Sequence, residues 1–223
     1  WYVVAWKTVS DGPDSRTIAT VAQSAKLETA VREAKSVIRK AFAVPKEKLD
    51  SEHLGWWHKF YEQAAFLTFP DKEIEKFWWF QYYKFASTAR PGKPVVDLQG
   101  VWPTCDTPWP AIWMNLNIQL TYSWLTKVNL GFLEQPLWDA LWKNRDNLTR
   151  NVTDIRGQED WTECRVMPRA SDYDFHAPLN PALAQRNQYE VGNLTWTLFY
   201  YWQMCEAYGD DHQMTTRLFP LLR

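Results

Sequence analysis

Two stretches of this chain are aromatic on every side: residues 77–85 read FWWFQYYKF and residues 196–202 read WTLFYYW. Signals of a helix surround the first. Asp71, behind Pro70, is placed as an N-cap, with Glu73 and Glu75 near the positive end of the helix dipole. The breaker Arg90-Pro91-Gly92 ends the helix at Ala89. A helix that is apolar all round has no face to give to water, so it is expected to be buried between other elements. The neighbouring helical stretches are one-sided instead. Ser24–Ala43 repeats Leu27, Ala30, Val31, Ala34, Ile38 and Ala41 at the 3.6 period and stops before Pro45. Glu134–Val152 carries Leu137, Trp138, Leu141, Trp142 and Leu148 at the same spacing. Fully buried helices that alternate with half-buried ones, joined by alternately short and long connections, imply a mainly α fold. An inner ring of helices wrapped by an outer ring, an α/α toroid, meets that requirement. No repeat of fixed length is visible, which disfavours a helical solenoid.

The rest of the chain fits around these helices. Residues 1–10, WYVVAWKTVS, form a β-type run ended by the turn Asp11-Gly12-Pro13-Asp14. A lone strand is not stable, so this residual strand reads as the end of a β-domain. Ser51 is placed as the N-cap of a second helix through Trp56, Trp57, Phe60 and Tyr61. Pro110 suits the first turn of a fourth helix running towards Leu125. Residues 154–188 show no periodicity and are rich in charge, Pro and Asn, as functional or mobile loops are. A sixth helix is expected over Tyr189–Tyr208, opened by Glu190, and a last one follows Gly209. The expected organisation is the end of a β-domain over 1–22, helical entry segments over 23–69, and a helical domain over 70–223.

Composition removes several function classes. A net charge of −1 gives no electrostatic case for nucleic acid or an anionic membrane surface. No apolar run has the length of a membrane span. The 8 Gly argue against a dinucleotide-binding fold, and the three cysteines, Cys105, Cys164 and Cys205, form no CxxC pair for a zinc site. The sequons at Asn147, Asn151 and Asn193 read as chance matches, because two of them fall inside expected helices. What remains conspicuous is 15 Trp, more than a core needs.

Those rings concentrate with amides in Arg90–Trp124. Gln99, Gly100 and Trp102 stand in a loop, followed by Trp109, Trp113, Asn115, Asn117, Gln119 and Tyr122. Amides that donate and accept, beside flat apolar rings, suit the faces and hydroxyls of a sugar. A tryptophan-rich loop packed between helices fits the same composition. Asn115 and Asn117 would diverge by about 200° on a regular helix, so a shared ligand requires an irregular backbone or a helix start there. Carboxylates for acid–base work on a glycosidic bond are available at Asp97, Asp106, Asp172, Asp174 and Glu190. Each also reads as a solvated group or a cap, and Glu190 as compensation of a helix dipole. Of the histidines, His53 and His58 are five apart, a poor spacing for a shared metal, and His212 sits in a turn. His176, inside the irregular 154–188 segment, has the site-like setting, with a structural histidine as the competing reading.

Arg90-Pro91-Gly92, Leu98-Gln99-Gly100-Val101-Trp102, Pro108-Trp109, Asn115-Leu116-Asn117-Ile118-Gln119 and Tyr122 follow in an order and spacing that resembles the α-L-fucosidases of glycoside hydrolase family 95. Glu190-Val191-Gly192-Asn193-Leu194-Thr195-Trp196 and the closing Leu218-Phe219-Pro220-Leu221-Leu222 are similar to a bacterial subgroup of that family. The resemblance implies a β-domain, a helical linker, an (α/α)6 toroid and a terminal β-domain, of which this chain would hold the first part of the toroid. It implies single-displacement hydrolysis with inversion, acting on terminal α-L-fucose. Thr121-Tyr122-Ser123-Trp124 stands where the family commonly has Asn-Tyr-Trp-Pro, and 154–188 lacks the family's His-Thr-Asp-rich segment, so a related sugar such as galactose is a second expectation. The asparagine pair that holds and polarises the attacking water maps onto Asn115 and Asn117. Trp102, Trp109 and Trp113 would be stacking walls, and Gln99, His176 and Glu190 polar substrate contacts. The family's glutamate acid and aspartate base lie beyond the position of Arg223, so residues 1–223 alone are expected to be inactive and to need the remainder of their own chain. No cofactor and no metal is implied. A periplasmic or secreted bacterial enzyme is expected, without a signal segment within 1–223. A non-catalytic carbohydrate-binding protein on the same fold is the alternative.

Overall fold

The computed structural model describes residues 1–98, 100, 111–156, 163–176, 190 and 192–223. The chain is mainly helical and divides into two compact units, Trp1–Glu62 and Gln63–Arg223. Among the described residues no helix is long and apolar enough to cross a membrane.

The first unit opens with a hairpin rather than a single residual strand. β1 (Tyr2–Asp11) pairs antiparallel with β2 (Asp14–Gln23) in a register that runs from Tyr2↔Gln23 to Asp11↔Asp14. Gly12, with φ of 60°, supplies the left-handed turn residue. β2 escapes sequence reading because its inward residues, Arg16, Ile18, Thr20 and Ala22, are mostly small or polar. Pairing to β1 makes the strand, not its own pattern. Val3, Ala5 and Ala22 pack against Ala30 and Ala34 of α1 (Leu27–Phe42), where small side chains let helix and hairpin approach closely. The Arg16 guanidinium donates to the Ala41 and Val44 carbonyls at 2.9 and 3.2 Å, at the negative end of the α1 dipole. The other hairpin face leaves Tyr2, Val4, Trp6 and Val21 exposed. α2 (Lys46–Gln63) starts five residues before the expected Ser51 cap. The Pro45 carbonyl accepts the Leu49 amide and so begins the helix itself, leaving Ser51 in its interior.

In the second unit, α3 (Lys72–Thr88) is capped as expected: the Asp71 carboxylate accepts the Glu73 and Ile74 amides at 2.8 and 3.4 Å. Its expected full burial is not found. Tyr82 and Ala86 are buried, Tyr82 stacks on Trp124 at 5.7 Å and Phe85 meets Tyr122 edge-on at 5.6 Å. Phe77, Phe80 and Tyr83 are exposed, because the described elements cover one side of this helix and not the other.

The expected fourth helix is shorter. β3 (Ile112–Trp113) occupies its first turn, and α4 begins only at Asn117 (Asn117–Tyr122). The expected fifth helix is divided: a 3-10 turn over Gly131–Glu134 leads into α5 (Gln135–Lys143), Asn144 breaks the helical path, and α6 follows (Arg145–Arg156). The aperiodic segment contains β4 (Ala170–Ser171). α7 (Asn193–Tyr208) starts after Gly192, whose φ of 94° no helix accommodates, so Glu190 stands ahead of the helix instead of opening it. Asp210 caps the closing helical run, α8 (Asp211–Gln213), a π-type turn over Met214–Leu218, and α9 (Phe219–Leu222). Trp138 of α5 lies flat on Tyr201 of α7, with centroids 4.5 Å apart and planes at 3°, and the fully buried Leu125, Leu130, Leu133 and Leu141 share this core.

Candidate functional site

The two-stranded ladder of β3 and β4 sets the site. Ile112 pairs with Ser171 and Trp113 with Ala170, and the Met114 amide continues the ladder onto the Arg169 carbonyl at 2.7 Å. The chain then turns through Asn115 and Leu116 and enters α4 at Asn117. The two asparagines therefore straddle a helix start, the irregular backbone that a shared ligand requires. Both are half-buried.

Polar groups from three segments hold this turn. The Gln119 carboxamide, 1% exposed, donates to the Met114 carbonyl, to the Asn193 carbonyl at 3.4 Å and to the Thr197 hydroxyl at 3.2 Å. The Met114 backbone is thus held at its N–H by the Arg169 carbonyl and at its C=O by Gln119. The Arg169 guanidinium lies over the Trp113 ring, 5.6 Å from its centroid, and pairs with Glu190 at 3.4 Å. Glu190 accepts in turn from the Asn193 carboxamide at 3.4 Å. Arg169 is not singled out by the sequence, because an ion pair between two aperiodic segments leaves no local pattern, and Asn193 stands out there only as a sequon and as part of the family signature. The signal that did exist is Met167-Pro168, which favours extended backbone just ahead of β4.

His176 stands beyond β4 in a loop folded onto α6. Asn147 and Asn151 donate side-chain hydrogen bonds to the carbonyls of Asp174 and Phe175, at 3.0 and 2.8 Å. Buried Phe175 has a φ of 60°, rare for a bulky side chain. Asp172 accepts the Asp174 amide at 3.1 Å, and Asp174 accepts the His176 amide at 2.9 Å. Desolvation, together with the neighbouring Asp174 carboxyl, pushes the Asp172 carboxyl up, while its hydrogen bond with Asp172 holds Asp174 down. Opposed shifts in adjacent carboxyls suit a pair that shares a proton. The Tyr173 hydroxyl donates to Asp97 at 3.0 Å, and Tyr122, whose phenol accepts the Val96 amide at 2.8 Å, ties the loop of residues 94–98 to α4.

A cavity of about 520 Å³ lies between α3 and this loop, walled by Trp78, Tyr82, Phe85 and Trp124 with Gln81 and Asp97 among its polar groups. Neither asparagine lines it. The expected contacts Gln99, Trp102 and Trp109, along with Asp106, lie outside the described residues. Among the described residues no cluster of His, Cys, Asp or Glu could hold a metal ion, and Cys164 and Cys205 are free thiols. The amides of Asn147, Asn151 and Asn193 are occupied in hydrogen bonds, and Asn151 and Asn193 are buried, as chance sequons permit.

Residues 59–223 match the model of the glycosyl hydrolase family 95 catalytic domain. No curated protein matches the chain.

Proposed function

Since the chain belongs to glycosyl hydrolase family 95, whose catalytic-domain model it matches over residues 59–223, we propose that it carries the water-positioning part of an inverting exo-glycosidase site, within an (α/α)6 toroid that further helices complete. Terminal α-L-fucose is the favoured substrate residue and a related sugar such as galactose the second. The turn at Asn115 and Asn117 carries this reading. Two carboxamides at i and i+2, splayed by a helix start and braced by Gln119 and Arg169, can hold one water between them. A carboxamide is neither acid nor base at neutral pH, so other groups must move the protons, and the resemblance makes these carboxyls beyond Arg223. Trp113 offers a ring beside the turn, and Trp102 and Trp109 are proposed as further walls, with Gln99 and His176 as polar contacts.

Substitution of the asparagines tests the reading. In the intact protein, Asn115→Ala or Asn117→Ala is expected to lower kcat on an aryl α-L-fucoside by about a hundredfold or more with the melting temperature retained. Near-normal turnover in either variant overturns the assignment. The anomer released first, followed by NMR, separates inversion from retention, and aryl galactosides assayed in parallel decide the sugar. Absence of turnover by the unsubstituted protein, together with sugar-dependent tryptophan fluorescence, would instead favour a carbohydrate-binding protein.

A further inference from the structure

We propose that Arg169 is a positioning residue of this site, which with Glu190 fixes Trp113 and the turn that carries Asn115 and Asn117. The inference rests on the water-positioning role of the asparagines. Arg169 grips the segment twice. Its carbonyl takes the Met114 amide at 2.7 Å, and its guanidinium lies 5.6 Å from the centroid of the Trp113 ring. Glu190 holds the guanidinium at 3.4 Å, and the path then returns to the start through Asn193 and Gln119 to the Met114 carbonyl. Hydrogen bonds, one ion pair and one cation–π contact thereby surround Met114, the residue immediately before Asn115. Rotation about the Met114 backbone bonds would re-aim Asn115 relative to Asn117, so the closed circuit sets the distance between the two carboxamides.

The pair suits this task better than it suits stability. The side chains of Arg169 and Glu190 are 26% and 36% exposed, where an ion pair contributes little to folding. A guanidinium can meet a carboxylate with its edge and an indole with its face at once, and a lysine ammonium cannot. Glu190, expected as a substrate contact, has both carboxylate oxygens engaged within the protein, one by Arg169 and one by Asn193. Its part in the circuit is to keep the guanidinium on Trp113.

Kinetics of the intact protein with Arg169→Met, Arg169→Lys, Glu190→Gln and the Arg169→Met/Glu190→Gln double variant test the proposal. Each of the Met and Gln variants is expected to lower kcat by about 10- to 100-fold, as a displacement near 1 Å would. KM is expected to change less than kcat, since Trp113 is one of three proposed walls while the aim of both asparagines is lost. The double variant should be no slower than the slower single variant, and Arg169→Lys should fall between wild type and Arg169→Met. Glu190→Gln is nearly isosteric and keeps an acceptor for Asn193, so it remains informative if Arg169→Met folds poorly. A rise in KM at constant kcat would make Arg169 a direct substrate contact and overturn the positioning role. Multiplicative losses in the double variant, or unchanged turnover in both single variants, would overturn it as well. Asn115→Ala serves as the reference: inactive Asn115→Ala with fully active Arg169→Met rejects the role of Arg169 alone, whereas active Asn115→Ala rejects the reading of the site.

Discussion

Burial of Glu134, 1% exposed, pushes its carboxyl from 4.5 up to about 7, and hydrogen bonds from the Thr126 amide at 2.9 Å and hydroxyl at 2.6 Å offset only part of that shift. As pH rises between these two values the unfolded chain releases the proton and the folded chain keeps it, so folding stability falls across that window and stays reduced above it. Glu134→Gln preserves an oxygen for both Thr126 donors and removes the titration. It is expected to flatten the decline, with a gain on the order of 3 kcal/mol at pH 8 relative to wild type and little difference at pH 4.5. Denaturant melts at the two pH values measure this, and parallel pH profiles for the two proteins would reject it. At the scale of residues, the proposed asparagine pair stands out in the sequence because amides interrupt an otherwise apolar run. Glu134 and Arg169 are not legible, since burial and long-range pairing come from segments brought together only by the fold.

Elements with their own end signals are the legible ones. Asp71 caps α3 as its sequence announces, and Gly209, in the left-handed region at φ 62°, ends α7 where expected. Ladders of two residues, β3 and β4, have no periodicity to read and exist through one another. Close packing of elements is equally hidden. Gly131, in the 3-10 turn before α5, donates its amide to the Tyr208 hydroxyl of α7 at 3.0 Å, and a Cβ built there would stand 2.5 Å from the Tyr208 ring. Gly131→Ala should therefore push Tyr208 off the turn and break its bond to the Gly131 amide. The expected loss is about 1–3 kcal/mol in folding free energy. A thermal melt of Gly131→Ala that matches wild type would show that α7 yields without cost.

For the whole molecule, aromatic composition foretells buried helices, but the described elements cover α3 and α7 on one side. Phe77 and Phe80 of α3 are 65% and 55% exposed, Phe199 and Trp202 of α7 48% and 41%, and Trp6 of the hairpin 69%. Apolar surface on this scale drives association when nothing covers it. Residues 1–223 produced alone are expected to self-associate at micromolar concentration, as light scattering would register; a monomer with a sharp cooperative melt would contradict this. The mainly helical class is legible in the sequence, whereas the toroid is an expectation of the resemblance that the described packing does not by itself form. Order of assembly follows from the β3–β4 ladder. It joins Trp113 to Ala170 across α4, α5 and α6, so a long loop must close before two short strands can pair. Helices with local contacts form before such a pairing, and a ladder this short is among the first structures to open. The spacing of Asn115 and Asn117 is thus acquired late and lost early, and a peptide copied from Arg90–Trp124 would hold both amides without their arrangement.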